Sequence, residues 1–260
     1  MKFGISTAVL VGAAMFLPIL QPAIAGNGKA APSCIDVALV LAVDSSASVS
    51  RQEFDLQQSG IAAAFRDPAG LDAIASAGRV VVSVVFWGAE GLPKPQSNWV
   101  FLEGKEGAEV FARTVESMPR QVTGDTGLGA GLMTALDMLN SLDSCTLRKI
   151  VNVSGDGEET RVHRRPRRSP APPQVRDLAD TQNVEINALA IVSDEAELAS
   201  YYAENVITGP DAFVMEVLSY DAFAEALRRK LIREIGPRVI SDLPPKNSKP
   251  DVLTDLPSPP

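Results

Sequence analysis

Five oxygen-bearing side chains lie at the ends of predicted strands or beside the start of a predicted helix. They are Asp44, Ser46, Ser48, Thr126 and Asp156. The carboxylates neutralise the charge of a divalent cation, and the hydroxyls add ligands without adding charge. Because the set contains no histidine or cysteine, it favours a hard cation, with Mg²⁺ first and Mn²⁺ or Ca²⁺ as alternatives. Such a set leaves a Lewis-acidic position that water or an external carboxylate can fill.

The elements that must position these residues follow an α/β pattern. Continuous apolar runs lie at 37–43, 80–86, 149–153, 186–192 and 212–217. Helical patterns separate most of them, which predicts a doubly wound, mostly parallel sheet with helices on both faces. Ligands of such sheets bind at the carboxyl ends of the strands, where the chain places Asp44 and Asp156. We therefore expect the two carboxylates to share one edge if their strands are neighbours.

Helix signals agree with this arrangement. Ser50 and Glu53 form a capping box that starts the first helix, which is expected to end near Arg66. A second helix is predicted over 107–118. A third is predicted to begin near Thr126, so that its start carries one of the candidate ligands.

In this order and context, the five residues resemble the metal-ion-dependent adhesion site of the von Willebrand factor type A family. The family's Asp-x-Ser-x-Ser loop, distant threonine and distant aspartate match Asp44, Ser46, Ser48, Thr126 and Asp156. The resemblance covers roughly residues 34–235 and implies a von Willebrand A, Rossmann-like fold. It also implies that the serines bind the cation directly, that the threonine engages it directly or at a distance, and that the second aspartate often acts through water.

Two segments depart from the pattern that many family members share. Residues 124–126 read Gly-Asp-Thr where those members have Gly-Gly-Thr, and residues 154–157 read Ser-Gly-Asp-Gly where they have Thr-Asp-Gly. Together with Tyr201 and Tyr202, these variants resemble a bacterial exported branch of unknown function. The loop geometry around the second aspartate is therefore expected to differ from that of the better-known members.

The resemblance implies a metal-dependent protein-binding module, for adhesion or as a scaffold, rather than an enzyme. Its expected partner is a protein ligand that offers a carboxylate. A metal-dependent hydrolase acting on phosphoryl groups is an alternative, but a phosphatase that uses Asp44 as nucleophile would need a second acid where Ser46 stands, and the single histidine, His163, lies in an arginine-rich segment. A purely structural cation is a third hypothesis.

The two cysteines bear on the compartment. Cys34 and Cys145 each precede a predicted strand, so both are expected at the amino-terminal edge of the same sheet. A disulfide is feasible there if the strands are neighbours. Two unpaired buried thiols are the alternative.

The domain organisation follows from composition. Residues 1–25 are typical of a signal peptide, with a membrane anchor as the alternative, and residues 26–33 form a short linker. The resemblance implies that residues 34–236 form the von Willebrand factor A-like domain. Composition predicts that residues 237–260 form a proline-rich flexible tail. After signal cleavage we expect no membrane span and an exported protein, periplasmic or secreted. The net charge of −8 argues against nucleic acid as a partner.

Several charged and aromatic residues near these motifs receive simpler interpretations. The arginine-rich segment 161–173 is either a solvated insertion or a guide for an anionic partner. Asp125 is expected to cap the third helix, and Trp87 is expected in the core. Glu158 and Glu159 are expected to be solvated loop acids.

Overall fold

The computed structural model of the protein describes Met1 and five stretches of chain. They are residues 34–121, 123–160, 168–193, 195–236 and 251–254. The chain divides into two compact units, Met1–Pro32 and Ser33–Pro260, and every helix and strand reported below belongs to the second. Apart from Met1, the predicted signal peptide and linker lie outside the described residues.

A seven-stranded sheet forms the centre of the described fold, in the order β3-β2-β1-β4-β5-β6-β7. The strands are β1 (Ile35–Asp44), β2 (Val80–Trp87), β3 (Val100–Phe101), β4 (Thr146–Gly155), β5 (Val184–Ile191), β6 (Phe213–Val217) and β7 (Asp251–Thr254). Among these described strands, only β3 pairs antiparallel with its neighbour. The prediction of a mostly parallel α/β sheet is confirmed.

Helices cover both faces of the sheet. They are α1 (Arg51–Arg66), α2 (Pro68–Ser76), α3 (Gly104–Ser117), α4 (Leu128–Asn140), α5 (Pro172–Thr181), α6 (Leu198–Asn205) and α7 (Phe223–Ile235). Alternate residues of β1 enter opposite cores: Leu39 packs with α1, α2, α3 and α7, whereas Val40 packs with α4, α5 and α6. Burial on both faces is the reason that the strands read as unbroken apolar runs.

The strand order changes direction at β1. The chain passes from β1 to β2 on one side and later returns to β4 on the other, so β1 lies between them. Val43 pairs with Ser154 in the β1–β4 register. Asp44 and Asp156 therefore leave neighbouring strands at the same edge, in the crevice where open α/β sheets bind ligands.

A disulfide joins the other ends of the same two strands. Cys34 and Cys145 are bonded, with 4.7 Å between their Cα atoms, and the backbone N–H of Ile35 donates to the carbonyl of Cys145 at 2.8 Å. The predicted disulfide is confirmed. Because the two cysteines lie 111 residues apart, the bond removes much of the entropy of the unfolded chain, an effect of about 4–5 kcal/mol in the chain-entropy model.

The elements differ from the expectations in three places. Within the segment expected to be a flexible tail, Asp251–Thr254 form β7 parallel to β6, so that interpretation is wrong for these four residues. Amino-acid composition does not reveal the pairing of β7 with β6, because the hydrogen bonds between these strands join backbone groups. The short α2 was not predicted, although Pro68 at its start and the Asp67 cap are its signals. The third helix begins at Leu128, after the loop that holds Thr126.

None of the helices in the described part of the chain has the length and apolar character needed to cross a bilayer.

A buried ion pair connects α7 to the middle of the sheet. Lys230 and Glu234 lie one turn apart on α7, are fully buried and pair with each other. Asn152 of β4 donates from Nδ2 to the Glu234 carboxylate at 2.6 Å. Burial lowers the pKa of Lys230 and raises that of Glu234, and their mutual attraction opposes both shifts.

We expect Lys230→Met to lower the free energy of unfolding by about 3–5 kcal/mol, because it leaves the buried Glu234 carboxylate without a counter-charge. The double variant Lys230→Met/Glu234→Gln removes both charges and keeps an acceptor for Asn152. It should regain most of that loss in urea unfolding at pH 7. Equal destabilisation of the single and double variants would contradict this account.

Candidate metal centre

The loop after β1 is fixed by hydrogen bonds on several sides. Asp44 is fully buried, and its Oδ1 accepts from the backbone N–H of Ser46 at 2.7 Å, which closes a turn directly after the strand. The backbone N–H of Ser45 donates to the Trp87 carbonyl at 2.7 Å and so continues the pairing with β2. Gln57 of α1 donates from Nε2 to the Asp44 carbonyl at 3.0 Å. The direction of the Asp44 carboxylate is thus set by the loop, β2 and α1.

The hydroxyls of this loop point toward the second aspartate. The Ser46 and Ser48 Oγ atoms are 3.1 Å apart. Ser48 Oγ donates to Asp156 Oδ1 at 2.6 Å. Hydrogen bonds therefore connect four of the five predicted site residues, from Asp44 through the two serines to Asp156.

Thr126 lies beside this cluster. Its Oγ1 is 3.6 Å from the position that a Cβ on Gly157 would take, next to Asp156. Its backbone exchanges hydrogen bonds with Thr160, at 3.1 Å to the Thr160 hydroxyl and 2.9 Å from the Thr160 N–H. The Thr126 loop also contacts the first loop, since the Ala47 N–H donates to the Gly124 carbonyl at 2.8 Å. The structure thus brings the third predicted segment to the same edge.

One oxygen of Asp44 distinguishes this cluster from an ordinary polar turn. Asp44 Oδ2 is buried and has no hydrogen-bond partner among the described residues. It lies 3.0 Å from the position that a Cβ on Gly155 would take, so a larger residue there would press into the carboxylate. Buried polar atoms are almost always paired. A bound cation would provide a partner for this carboxylate oxygen, which lies beside a second carboxylate. The residues present therefore fit a cation.

The electrostatics of the two carboxylates agree with this fit. Burial, followed by the charge of Asp156, raises the pKa of Asp44 to about 8. Burial also raises the pKa of Asp156, while hydrogen bonds from Ser48 and Tyr220 oppose that shift. Two neighbouring acids that are costly to ionise together are stabilised in their charged form by a divalent cation.

The donor set is mainly hydroxyl in character. Within the described stretches, no three or more His, Cys, Asp or Glu side chains are grouped in a way that could hold a metal ion. The predicted set consists of two carboxylates and three hydroxyls. Mg²⁺ and related hard cations bind such oxygen ligands, whereas Zn²⁺ does not favour them.

A family model described as "Protein of unknown function (DUF1194)" matches residues 33–239. The chain belongs to the DUF1194 family. Among curated proteins, no sequence matches the chain.

Solved structures show the fold of this DUF1194 protein. The pilus adhesin SpaC from Lactobacillus rhamnosus GG aligns with a TM-score of 0.55 and 18% identity, over 79% of this chain and 31% of that chain. A von Willebrand factor type A protein from Catenulispora acidiphila aligns with a TM-score of 0.53 and 16% identity, over 80% and 44%. The vWF domain of the type V pili tip protein Mfa5 from Porphyromonas gingivalis aligns with a TM-score of 0.51 and 11% identity, over 80% and 99%. The DUF1194 chain therefore has a von Willebrand factor type A fold, as the five-residue motif predicted. The chain spans less than half of the length of the first two of these proteins.

Two tyrosines outside the motif donate hydrogen bonds at this edge of the sheet, one to a carboxylate and the other to a backbone carbonyl. Tyr220 Oη donates to Asp156 Oδ2 at 3.0 Å. Tyr202 of α6 donates to the Gly157 carbonyl at 3.2 Å and is fully buried. Burial, together with the Asp44 and Asp156 charges, raises the pKa of both phenols, so both remain hydrogen-bond donors.

Arg120 holds the first loop from the α3–α4 connection. Its Nη2 donates to the Ser46 carbonyl at 2.9 Å and to the Val49 carbonyl. Its guanidinium also lies over the ring of Phe54, 5.9 Å from the ring centre. No spacing rule in the sequence links Arg120 to a loop more than 70 residues earlier, so only the fold identifies it.

The acids around the site have structural partners. Glu159 Oε2 accepts from the Gly129 N–H at 2.8 Å in the first turn of α4, whose cap residue is Gly127. The expectation that Asp125 caps this helix is therefore wrong, because Glu159 reaches the same helix end from the loop that follows β4. Glu158 donates its backbone N–H to Glu195 Oε2 at 3.0 Å. Trp87 is buried in the core, as predicted.

The unusual pKa of Asp44 predicts a pH dependence for the metal-free protein. Its folded pKa of about 8 lies above the ordinary aspartate pKa of 3.8. The contribution of Asp44 to the free energy of unfolding is therefore complete below its unfolded pKa. It is lost as the pH rises toward and through its folded pKa. In chelator, we expect the free energy of unfolding to fall between pH 5 and 8 by up to ~1.4 kcal/mol per pH unit from this group.

Urea unfolding of wild type and Asp44→Asn over this pH range is the measurement. Groups that titrate elsewhere affect both proteins, so the difference between the two curves isolates Asp44. If the curves run parallel, Asp44 is not the buried acid that the structure describes.

Proposed function

We propose that this protein is an exported, metal-dependent protein-binding module, acting in adhesion or as a scaffold. In this proposal the cation is bound by Asp44, Ser46, Ser48, Thr126 and Asp156 and captures an acidic group of a partner. The observation that carries the proposal is the buried Asp44 Oδ2, which has no partner in the described structure and lies next to a second carboxylate. A cation gives that oxygen a partner and removes the repulsion between the two acids.

The proposal that the partner offers an acidic group rests on the charge of the donor set. Two carboxylates balance a divalent cation, so hydroxyl ligands leave it with Lewis-acidic character. Ser48 is exposed and Thr126 is partly exposed, whereas Asp44, Ser46 and Asp156 are buried. The solvent-facing side of the cluster is therefore the side of Ser48 and Thr126. A carboxylate from a protein partner would approach from there. Mg²⁺ is the first candidate, with Mn²⁺ or Ca²⁺ as alternatives.

Support for adhesion rather than catalysis comes from the site and from the relatives. The groups that contact Asp156 are the hydroxyls of Ser48 and Tyr220, and the raised pKa of Tyr220 makes it a poor general base. Two of the proteins that share the fold are named as a pilus adhesin and a pilus tip protein. Both names agree with a protein-binding role.

Support for export comes from the disulfide. The Cys34–Cys145 bond persists in an oxidising compartment, such as the periplasm or the cell exterior, and not in a reducing cytosol. Together with the predicted signal peptide, it favours a periplasmic or secreted protein.

Metal binding should stabilise the wild-type protein. At a cation concentration of about 100 times Kd, we expect roughly 2.7 kcal/mol of stabilisation, and hence a rise in Tm of about 5–10 °C for a domain of this size. Asp44→Ala should lose this rise. Asp125→Ala is the matched control, since Asp125 is exposed and lies on the neighbouring loop, and it should keep the rise. The rise in Tm is measured by thermal unfolding in chelator, in Mg²⁺ and in Mn²⁺. If neither cation raises the Tm of the wild type more than that of Asp44→Ala, the metal site is refuted.

Partner capture should require both the cation and Thr126. Immobilised wild-type protein is expected to retain a partner from the exported fraction in Mg²⁺ and to release it in chelator. Thr126→Ala should fail to retain it, whereas Thr123→Ala, an exposed threonine in the same loop, should behave as wild type. A protein that binds Mg²⁺ but retains the same partner equally well in Mg²⁺ and in chelator would favour a purely structural cation.

A further inference from the structure

A hydroxyl outside the five-residue motif contacts one of its carboxylates. Tyr220 belongs to a 3-10 turn, Tyr220–Ala222, that connects β6 to α7. Its side chain is 5% exposed, and its Oη donates to Asp156 Oδ2 at 3.0 Å. The two residues are 64 positions apart, so the contact depends on the tertiary fold.

The two oxygens of Asp156 have partners of different kinds. Oδ1 accepts from Ser48 Oγ at 2.6 Å, and this serine belongs to the proposed ligand set. When a cation binds, a serine hydroxyl can rotate its hydrogen away and offer a lone pair to the metal. Tyr220 is not part of that loop, and its hydrogen bond occupies the other oxygen. In the described structure, Oδ1 of Asp156 therefore contacts the loop through the Ser48 hydroxyl, whereas Oδ2 contacts Tyr220.

We propose that Tyr220 is a positioning residue for the cation, which holds Asp156 through Oδ2 so that a single oxygen of this carboxylate is directed toward the metal. This role rests on the proposed function, because it requires a cation at the site. This role explains how two carboxylates can bind one cation while a coordination position stays free. A carboxylate that bound the cation with both oxygens would occupy that position. Outer hydrogen bonds of this type orient metal ligands and are commonly needed for full affinity.

The test is the affinity for Mn²⁺ itself, measured by electron paramagnetic resonance of the free ion in titrations of full-length protein. Tyr220→Phe keeps the ring and deletes the hydroxyl, and we expect it to weaken Mn²⁺ binding by about 10–100-fold. The spectrum of the bound ion should also change, because Asp156 becomes free to offer its second oxygen. A role confined to folding would lower the unfolding midpoint in chelator without moving either metal readout.

Tyr202→Phe is the matched control. It deletes another buried tyrosine hydroxyl of this region, which donates to the Gly157 backbone carbonyl and contacts no predicted ligand side chain. Its Mn²⁺ affinity is expected to stay close to that of the wild type. If Tyr220→Phe fails to fold, Tyr220→Met removes the hydroxyl with a flexible apolar side chain and permits the same titration.

The outcomes separate the two levels of the proposal. A wild-type protein that does not bind Mn²⁺ overturns the metal-dependent function. A wild type that binds Mn²⁺, with Tyr220→Phe binding it equally well, overturns the role of Tyr220 alone. Equal weakening by Tyr220→Phe and Tyr202→Phe also overturns it, since the effect would then belong to any buried hydroxyl of this region.

Discussion

Two carboxylates buried side by side repel each other, and much of the described structure around them limits that repulsion. Asp44 and Asp156 are 0% and 4% exposed, at the ends of adjacent central strands. Water cannot screen them well there, so their ionised forms must be stabilised by hydrogen bonds or by a cation. Serine and tyrosine hydroxyls supply part of this stabilisation at Asp156. Asp44 has only one of its two oxygens paired among the described residues, so it is the less stabilised of the two carboxylates.

The sequence was sufficient for the parts of the molecule that follow simple patterns. Strands buried on both faces produce continuous apolar runs, and those runs marked β1, β2, β4, β5 and β6. The capping box at Ser50 marked the start of α1. The candidate ligand positions were visible because each follows a strand or precedes a helix, and parallel strands bring their carboxyl ends together.

Other features left no such trace. The strands β3 and β7 contain two and four residues, too few to show a periodicity, and they form because an existing sheet edge offers backbone partners. Tyr220 and Arg120 reach the site over 64 and 74 residues of sequence, where no spacing rule applies. The role of Glu159 at the start of α4 was missed for the same reason. Contacts that depend on tertiary placement require the fold to be known first.

The disulfide has a consequence for the site at the opposite end of the sheet. Cys34 and Cys145 lock the amino ends of β1 and β4, and Asp44 and Asp156 leave the carboxyl ends of the same two strands. A slip of one residue between these strands would turn the ligand side chains to the wrong face. The covalent bond therefore fixes the alignment on which the site depends, although it lies a full strand length away. Reduction of this bond would remove the covalent constraint, so the redox state of the surroundings reaches the candidate site through the length of two strands.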